Sequence, residues 1–151
     1  MQTSNEHAVN VLNDLIKTTL DSVGGYKEAE ENADQPQLKS LFAQNLQKRE
    51  QLASQLQNEV RALGGDPQTN QGILGMAHNK FVDIKNAVTG GGSDKSIVEE
   101  VERGEDHIKE KFEKVASDSE LPPSVRNIVL TACQSIKADH DQVSQLKRTM
   151  H

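Results

Sequence analysis

The stretch Val101-Glu102-Arg103-Gly104-Glu105-Asp106-His107-Ile108-Lys109-Glu110-Lys111-Phe112 decides how this chain folds. Val101, Ile108 and Phe112, continued by Val115, fall at the three-and-four spacing of one face of an α-helix. Glu105 lies on the same line, four residues after Val101 and three before Ile108, where an apolar side chain is expected. A carboxylate on the inner face of a helix needs a counter-charge, a proton or a metal ion, because an isolated charge is costly to bury. The neighbouring segments have to supply that partner.

Upstream, Val9, Leu12, Ile16, Leu20, Val23 and Tyr26 mark the inner face of a first long helix from Ser4 to about Ala33, with Thr3 and Glu6 spaced as a capping box. Gly24-Gly25 is its weak point, so a bend or a closely packed neighbour is expected there. Asp34 and Pro36 separate it from a second helix whose inner side carries Leu38, Leu41, Phe42, Leu46, Leu52, Leu56, Val60 and Leu63. Gly64-Gly65 followed by Pro67 ends that helix, since glycine supplies a left-handed cap and proline cannot continue the helix. A shorter amphipathic helix, Gln71 to Val88, is marked by Ile73, Met76, Phe81, Ile84 and Val88, and stops at Gly90-Gly91-Gly92. It is long enough to carry the chain along most of a bundle. Ser96 and Glu99 form a plausible capping box for the helix that holds Glu105. Leu121-Pro122-Pro123 starts the last helix, with Val125, Val129, Ala132, Cys133, Ile136, His140, Val143, Leu146 and Met150 facing inward. The expected fold is all-α: a single domain over residues 1–151, an antiparallel four-helix bundle with a long helical crossover between its second and third long helices.

Composition agrees. Aromatic residues make up 3% of the 151, with no Trp, so the core must be built from Leu, Ile, Val and Ala, which suits helices better than sheets. The formal net charge of -6 argues against nucleic-acid binding, and no basic face exists to hold a membrane surface. One cysteine, Cys133, excludes an internal disulfide and a Cys-based zinc cluster, and a reducing, cytoplasmic home is expected. Met1 to Asn10 lacks the pattern of a signal peptide, and no apolar run reaches the length that spans a bilayer.

Three further polar residues fall on inner lines as Glu105 does: Thr19 between Ile16 and Val23, Arg49 between Leu46 and Leu52, and His140 between Ile136 and Val143. In an assembled bundle they should converge, with Arg49 forking onto Glu105 and His140 and the Tyr26 hydroxyl completing the hydrogen bonds. The expected polar core is therefore Thr19, Tyr26, Arg49, Glu105 and His140. A salt-bridged core is the preferred reading of Glu105 and His140, and a metal site with these two as ligands is the alternative. Asp106 and His107 are expected in a solvated surface, His78 half-buried in the crossover helix, Cys133 as a small apolar residue, and His7 and His151 without a role. The charged stretches Glu99 to Glu105 and Lys109 to Lys114 read as the outer face of a helix.

Through Leu20-Asp21-Ser22-Val23-Gly24-Gly25-Tyr26, Leu63-Gly64-Gly65, Glu102-Arg103-Gly104-Glu105-Asp106-His107, Leu121-Pro122-Pro123 and Ala138-Asp139-His140-Asp141, the chain resembles a family of bacterial ferritin-like four-helix-bundle proteins known only as a domain of unknown function. The resemblance implies a superfamily that holds two metals by a Glu on each of two helices and a Glu-x-x-His on each of the others. Laid on this sequence, the single Glu positions fall on Thr19 and Glu105, and the paired motifs fall on Arg49 to Leu52 and on Lys137 to His140. Only Glu105 and His140 of the six ligand positions keep a ligand, and Arg49 stands in a third. The expectation is a non-enzymatic binding or structural protein without a cofactor, a homo-oligomer in bacterial cytoplasm; the alternative is a metal-carboxylate protein holding iron or another divalent metal, of the oxidoreductase or iron-storage type.

Overall fold

A computed structural model describes residues 4–69 and 93–150. They form four α-helices: α1 (Ser4–Asn32), α2 (Pro36–Ala62), α3 (Asp94–Ala116) and α4 (Pro123–Thr149). No strand occurs among the described residues. The expected crossover helix with its His78, the Gly90-Gly91-Gly92 stop, Thr3 and His151 all lie outside them.

Local chemistry sets the helix ends. The turn after α2 is closed by Gly64 at φ 86°, with the N–H of Gly65 donating to the Val60 carbonyl and that of Gly64 to Arg61. This double bond pattern satisfies the last free carbonyls of a helix and needs a left-handed residue, here glycine. The start of α3 differs from the sequence expectation. Its cap is Ser93, whose hydroxyl accepts from the N–H of Ser96, so the helix begins one turn before the Ser96 and Glu99 pair. Asp94, in that first turn, accepts from the N–H groups of Asp34 and Gln35 at 2.8 and 3.0 Å and so ties the α1–α2 corner to α3. α1 runs unbroken through Gly24-Gly25; Gly25 is buried, and a methyl group built on Gly24 would meet nothing within 4 Å. Neither a break nor crowding at Gly24 explains that glycine.

Cross-helix contacts fix the topology. His7 meets Asp118 and Asp14 meets Lys111 at one end, while the Asp34–Asp94 contact closes the other, so α1 is antiparallel to α3 as well as to α2. Lys147 bonds Glu102, placing the end of α4 beside the start of α3. α2 and α3 therefore run parallel, and residues 62 and 94 lie at opposite ends of the bundle. α1 packs on α2 and on α3, α3 packs on α4, and the backbones of α2 and α4 stand further apart, bridged by side chains. Helices α2 and α3 face one another across the diagonal.

The core is divided. One apolar cluster is built on Leu12, Leu15, Ile16, Leu56, Ile108, Phe112, Val125, Val129 and Ile136. The other holds Tyr26, Ala29, Leu38, Phe42, Ile97, Val98, Val101 and Val143. Between them lie the buried polar residues Thr19, Ser22, Asn45, Arg49, Glu105 and Asp139.

Candidate functional site

Arg49 is the largest fully buried side chain in the protein's described part, at 1% exposure, and Glu105 beside it is at 0%. Helix α2 buries Phe42, Asn45, Arg49, Ala53, Leu56 and Val60, and the apolar members of that line pull the guanidinium inward with them. Its fork meets the carboxylate of Glu105 with both prongs: Nη1 donates to Oε1 at 2.8 Å and Nη2 to Oε2 at 2.7 Å. Because α2 and α3 are diagonal, only two long side chains reaching toward the axis can make this contact.

The second N–H of each terminal nitrogen is also used. Nη1 donates to the Ser22 hydroxyl at 2.7 Å on α1, and Nη2 to Asp139 Oδ2 at 3.3 Å on α4. All four helices thus meet at one guanidinium. Asp139 receives a second cation from outside, as the half-exposed Lys48 donates to its Oδ1 at 2.9 Å. Two cations face two carboxylates. The Tyr26 ring lies under the guanidinium, 5.5 Å from Cζ to the ring centre, a favourable placement of a cation on an aromatic face. Asn45 donates to the Tyr26 hydroxyl at 3.3 Å, and that hydroxyl is hydrogen-bonded to Glu105.

Charge states follow from this setting. Burial opposes the charge on Arg49, but Glu105, Tyr26 and Asp139 together more than offset it and hold the guanidinium firmly protonated. Burial first, and Glu105 second, push the Tyr26 phenol well above its ordinary range. Neither group gains or loses a proton near neutral pH, so neither serves as an acid or base there.

Of the five residues expected in this cluster, Arg49, Glu105 and Tyr26 come together. Thr19 is buried in the same layer but spends its hydroxyl on the Leu15 carbonyl of its own helix, at 2.7 Å. Ser22, one turn on, makes the bond to Arg49 in its place. His140 is not in the core. Its half-buried ring bridges Asp106 on α3 (2.5 Å from Nε2) and Asp141 (3.2 Å from Nδ1) at the surface. The inner line of α4 is Val125, Val129, Ala132, Ile136, Asp139 and Val143, which puts residue 139 inside and 140 on the flank. Burial opposes a charge on His140, but the bonds to Asp141 and Asp106 raise its pKa above the ordinary 6.5. Asp106, expected in water, is exposed and is the partner of that ring. Asp139 and Asn45 were missed because each competes with a neighbour at equally good helical spacing. Cys133 packs half-buried against the first apolar cluster, and burial together with Glu113 lifts its thiol to about 11.

Four helices closed around a charge-compensated polar layer define an all-α helical bundle. The chain belongs to the family described as Domain of unknown function (DUF2383), whose model matches residues 7–118. The match covers Arg49 and Glu105 and stops before α4. No curated protein matches the chain. No helix among the described residues is long and apolar enough to cross a membrane.

Proposed function

We propose that the chain is a ferritin-like bundle whose metal seat is filled by a fixed cation, and that it works as a structural or binding module, not as an oxidoreductase. The observation that carries this reading is the two-pronged contact of Arg49 with Glu105 at the bundle's centre. A guanidinium is always charged and cannot act as a ligand, so a second cation entering beside it meets repulsion and finds both carboxylates already satisfied. Asp139 is a second buried carboxylate there, and it too is held, by Arg49 and Lys48.

Fe²⁺ offered in air to the full chain tests the reading. Ferric absorbance is expected to grow no faster than in buffer alone. Oxidation faster than buffer that Glu105→Gln abolishes and His7→Gln spares would overturn it.

A further inference from the structure

A second cluster lies far from Arg49, at the end of the bundle where α1 begins and α3 finishes. His7 stands near the start of α1, and Asp118 and Glu120 belong to the connection between α3 and α4. Nε2 of His7 is 2.6 Å from Asp118 Oδ2 and 3.8 Å from Glu120 Oε2, and one ligand atom from each of the three residues lies within 4.8 Å of the others. The other oxygen of Asp118 accepts the N–H of Glu120 at 2.9 Å, which fixes the loop and leaves Oδ2 aimed at the imidazole. This is the arrangement of an oriented ligand with its second atom held by backbone.

We propose that His7, Asp118 and Glu120 form a site for a divalent metal of zinc-like preference, taking one imidazole nitrogen and two carboxylate oxygens. An imidazole donor disfavours magnesium and calcium, which take oxygen ligands, and suits zinc and its first-row neighbours. In the metal-free state a proton links Nε2 and Oδ2. Replacing it with a metal about 2.0–2.1 Å from each atom requires their separation to widen to about 3.3 Å for tetrahedral geometry. Glu120 has room to swing in, because its side chain is 77% exposed.

Three protein ligands leave a fourth position, the pattern of sites that keep a water or take up a ligand. That position has somewhere to face. His7 and Asp118 both line a cleft of about 910 Å³ between α1 and α3, whose wall also includes Asn10, His107 and Lys114. Metal held here stitches the start of α1 to the α3–α4 connection without touching the central layer, so the inference stands apart from the reading of Arg49.

The test is titration of the tag-free full chain with Zn²⁺, followed by heat, and with Co²⁺, followed by the visible bands of a four-coordinate ion. One ion per chain is expected, with binding weakened about tenfold or more in both His7→Gln and Glu120→Gln, and unaltered in His140→Gln. Both ligand variants should keep the parent's helical circular dichroism when metal-free, which separates ligand loss from misfolding. Absence of saturable binding, or binding that either ligand variant leaves less than tenfold weaker, overturns the site.

Discussion

At the centre of the bundle a nitrogen cation faces Glu105 and Asp139, and at one end the imidazole of His7 faces Asp118 and Glu120. The donor types are alike, yet the two places invite opposite behaviour. Arg49 is sealed, bonded through both terminal nitrogens and unable to lose its proton, so its charge is a permanent part of the fold. His7 is half-buried, it is held to Asp118 by a single hydrogen bond, and its third partner reaches into water. Burial and the chemistry of the nitrogen decide whether a cluster of carboxylates is a structural joint or a place where an ion can come and go.

The sharpest way to break this contrast is Arg49→Leu. It leaves Glu105 and Asp139 facing an apolar side chain, and a loss of about 3 kcal/mol or more is expected in urea unfolding at neutral pH. A midpoint within error of the parent would show that the centre is wet. Adding Glu105→Leu to that variant should recover part of the loss, because one of the two carboxylates stranded by the first change is then gone.

At Gly65, by the end of α2 and the start of α1, the sensitivity is steric, not ionic. A Cβ on Gly65 would lie 2.7 and 2.9 Å from the two γ-carbons of Val9 and 3.2 Å from Val60. Gly65→Ala is therefore expected to cost about 1–3 kcal/mol, read as a lowered urea midpoint with an unchanged slope. Tyr26→Phe removes a buried hydroxyl that serves Asn45 and Glu105 but keeps the ring beneath Arg49. A loss of about 1–2 kcal/mol separates the hydrogen bonds from the aromatic contact; a loss near that of Arg49→Leu would mean the ring's placement had failed.

A smaller effect belongs to the flank. The folded-state pKa of His140 is raised, so its ion pairs with Asp106 and Asp141 contribute stability that is fully present below about 6.5 and fades as pH rises through the folded value, with Lys109 nearby opposing the charge. The gap in urea midpoint between parent and His140→Gln should be widest at acid pH and close on the alkaline side. A gap that grows with pH would reverse the assignment. Smallest of all, metal-free Glu120→Gln should melt with the parent.

Much of the fold can be read from spacing alone. Apolar residues at three-and-four intervals, Pro36, Gly64-Gly65 and Pro122-Pro123 locate the four long helices closely, because each of these residues acts on backbone within a turn of itself. The central ion pair was legible too, since Arg49 and Glu105 interrupt otherwise apolar lines. What was not legible is rotation about the helix axis. His140 is four residues after Ile136 and Asp139 is three after it; either spacing is helical, and only packing of Ala132 in preference to Cys133 turns Asp139 inward. Asp139 is accommodated inside because Arg49 and Lys48 are there to receive its carboxylate. The same ambiguity hid Ser22 behind Val23, since Ser22 is buried and Val23 is only partly so. His7 was passed over as terminal, since nothing local reveals that a loop more than a hundred residues away brings Asp118 and Glu120 to it.

The diagonal reach of Arg49 has one more effect. Leucine and valine faces tolerate sliding, because one methyl group replaces another at little loss. A guanidinium clamped by three other helices does not: a slip of one turn, about 5.4 Å, would carry Ser22, Glu105 or Asp139 out of reach and strand an ion in oil. The central joint thus acts as a vernier for the bundle, admitting a single axial alignment of helices whose greasy surfaces alone would accept several.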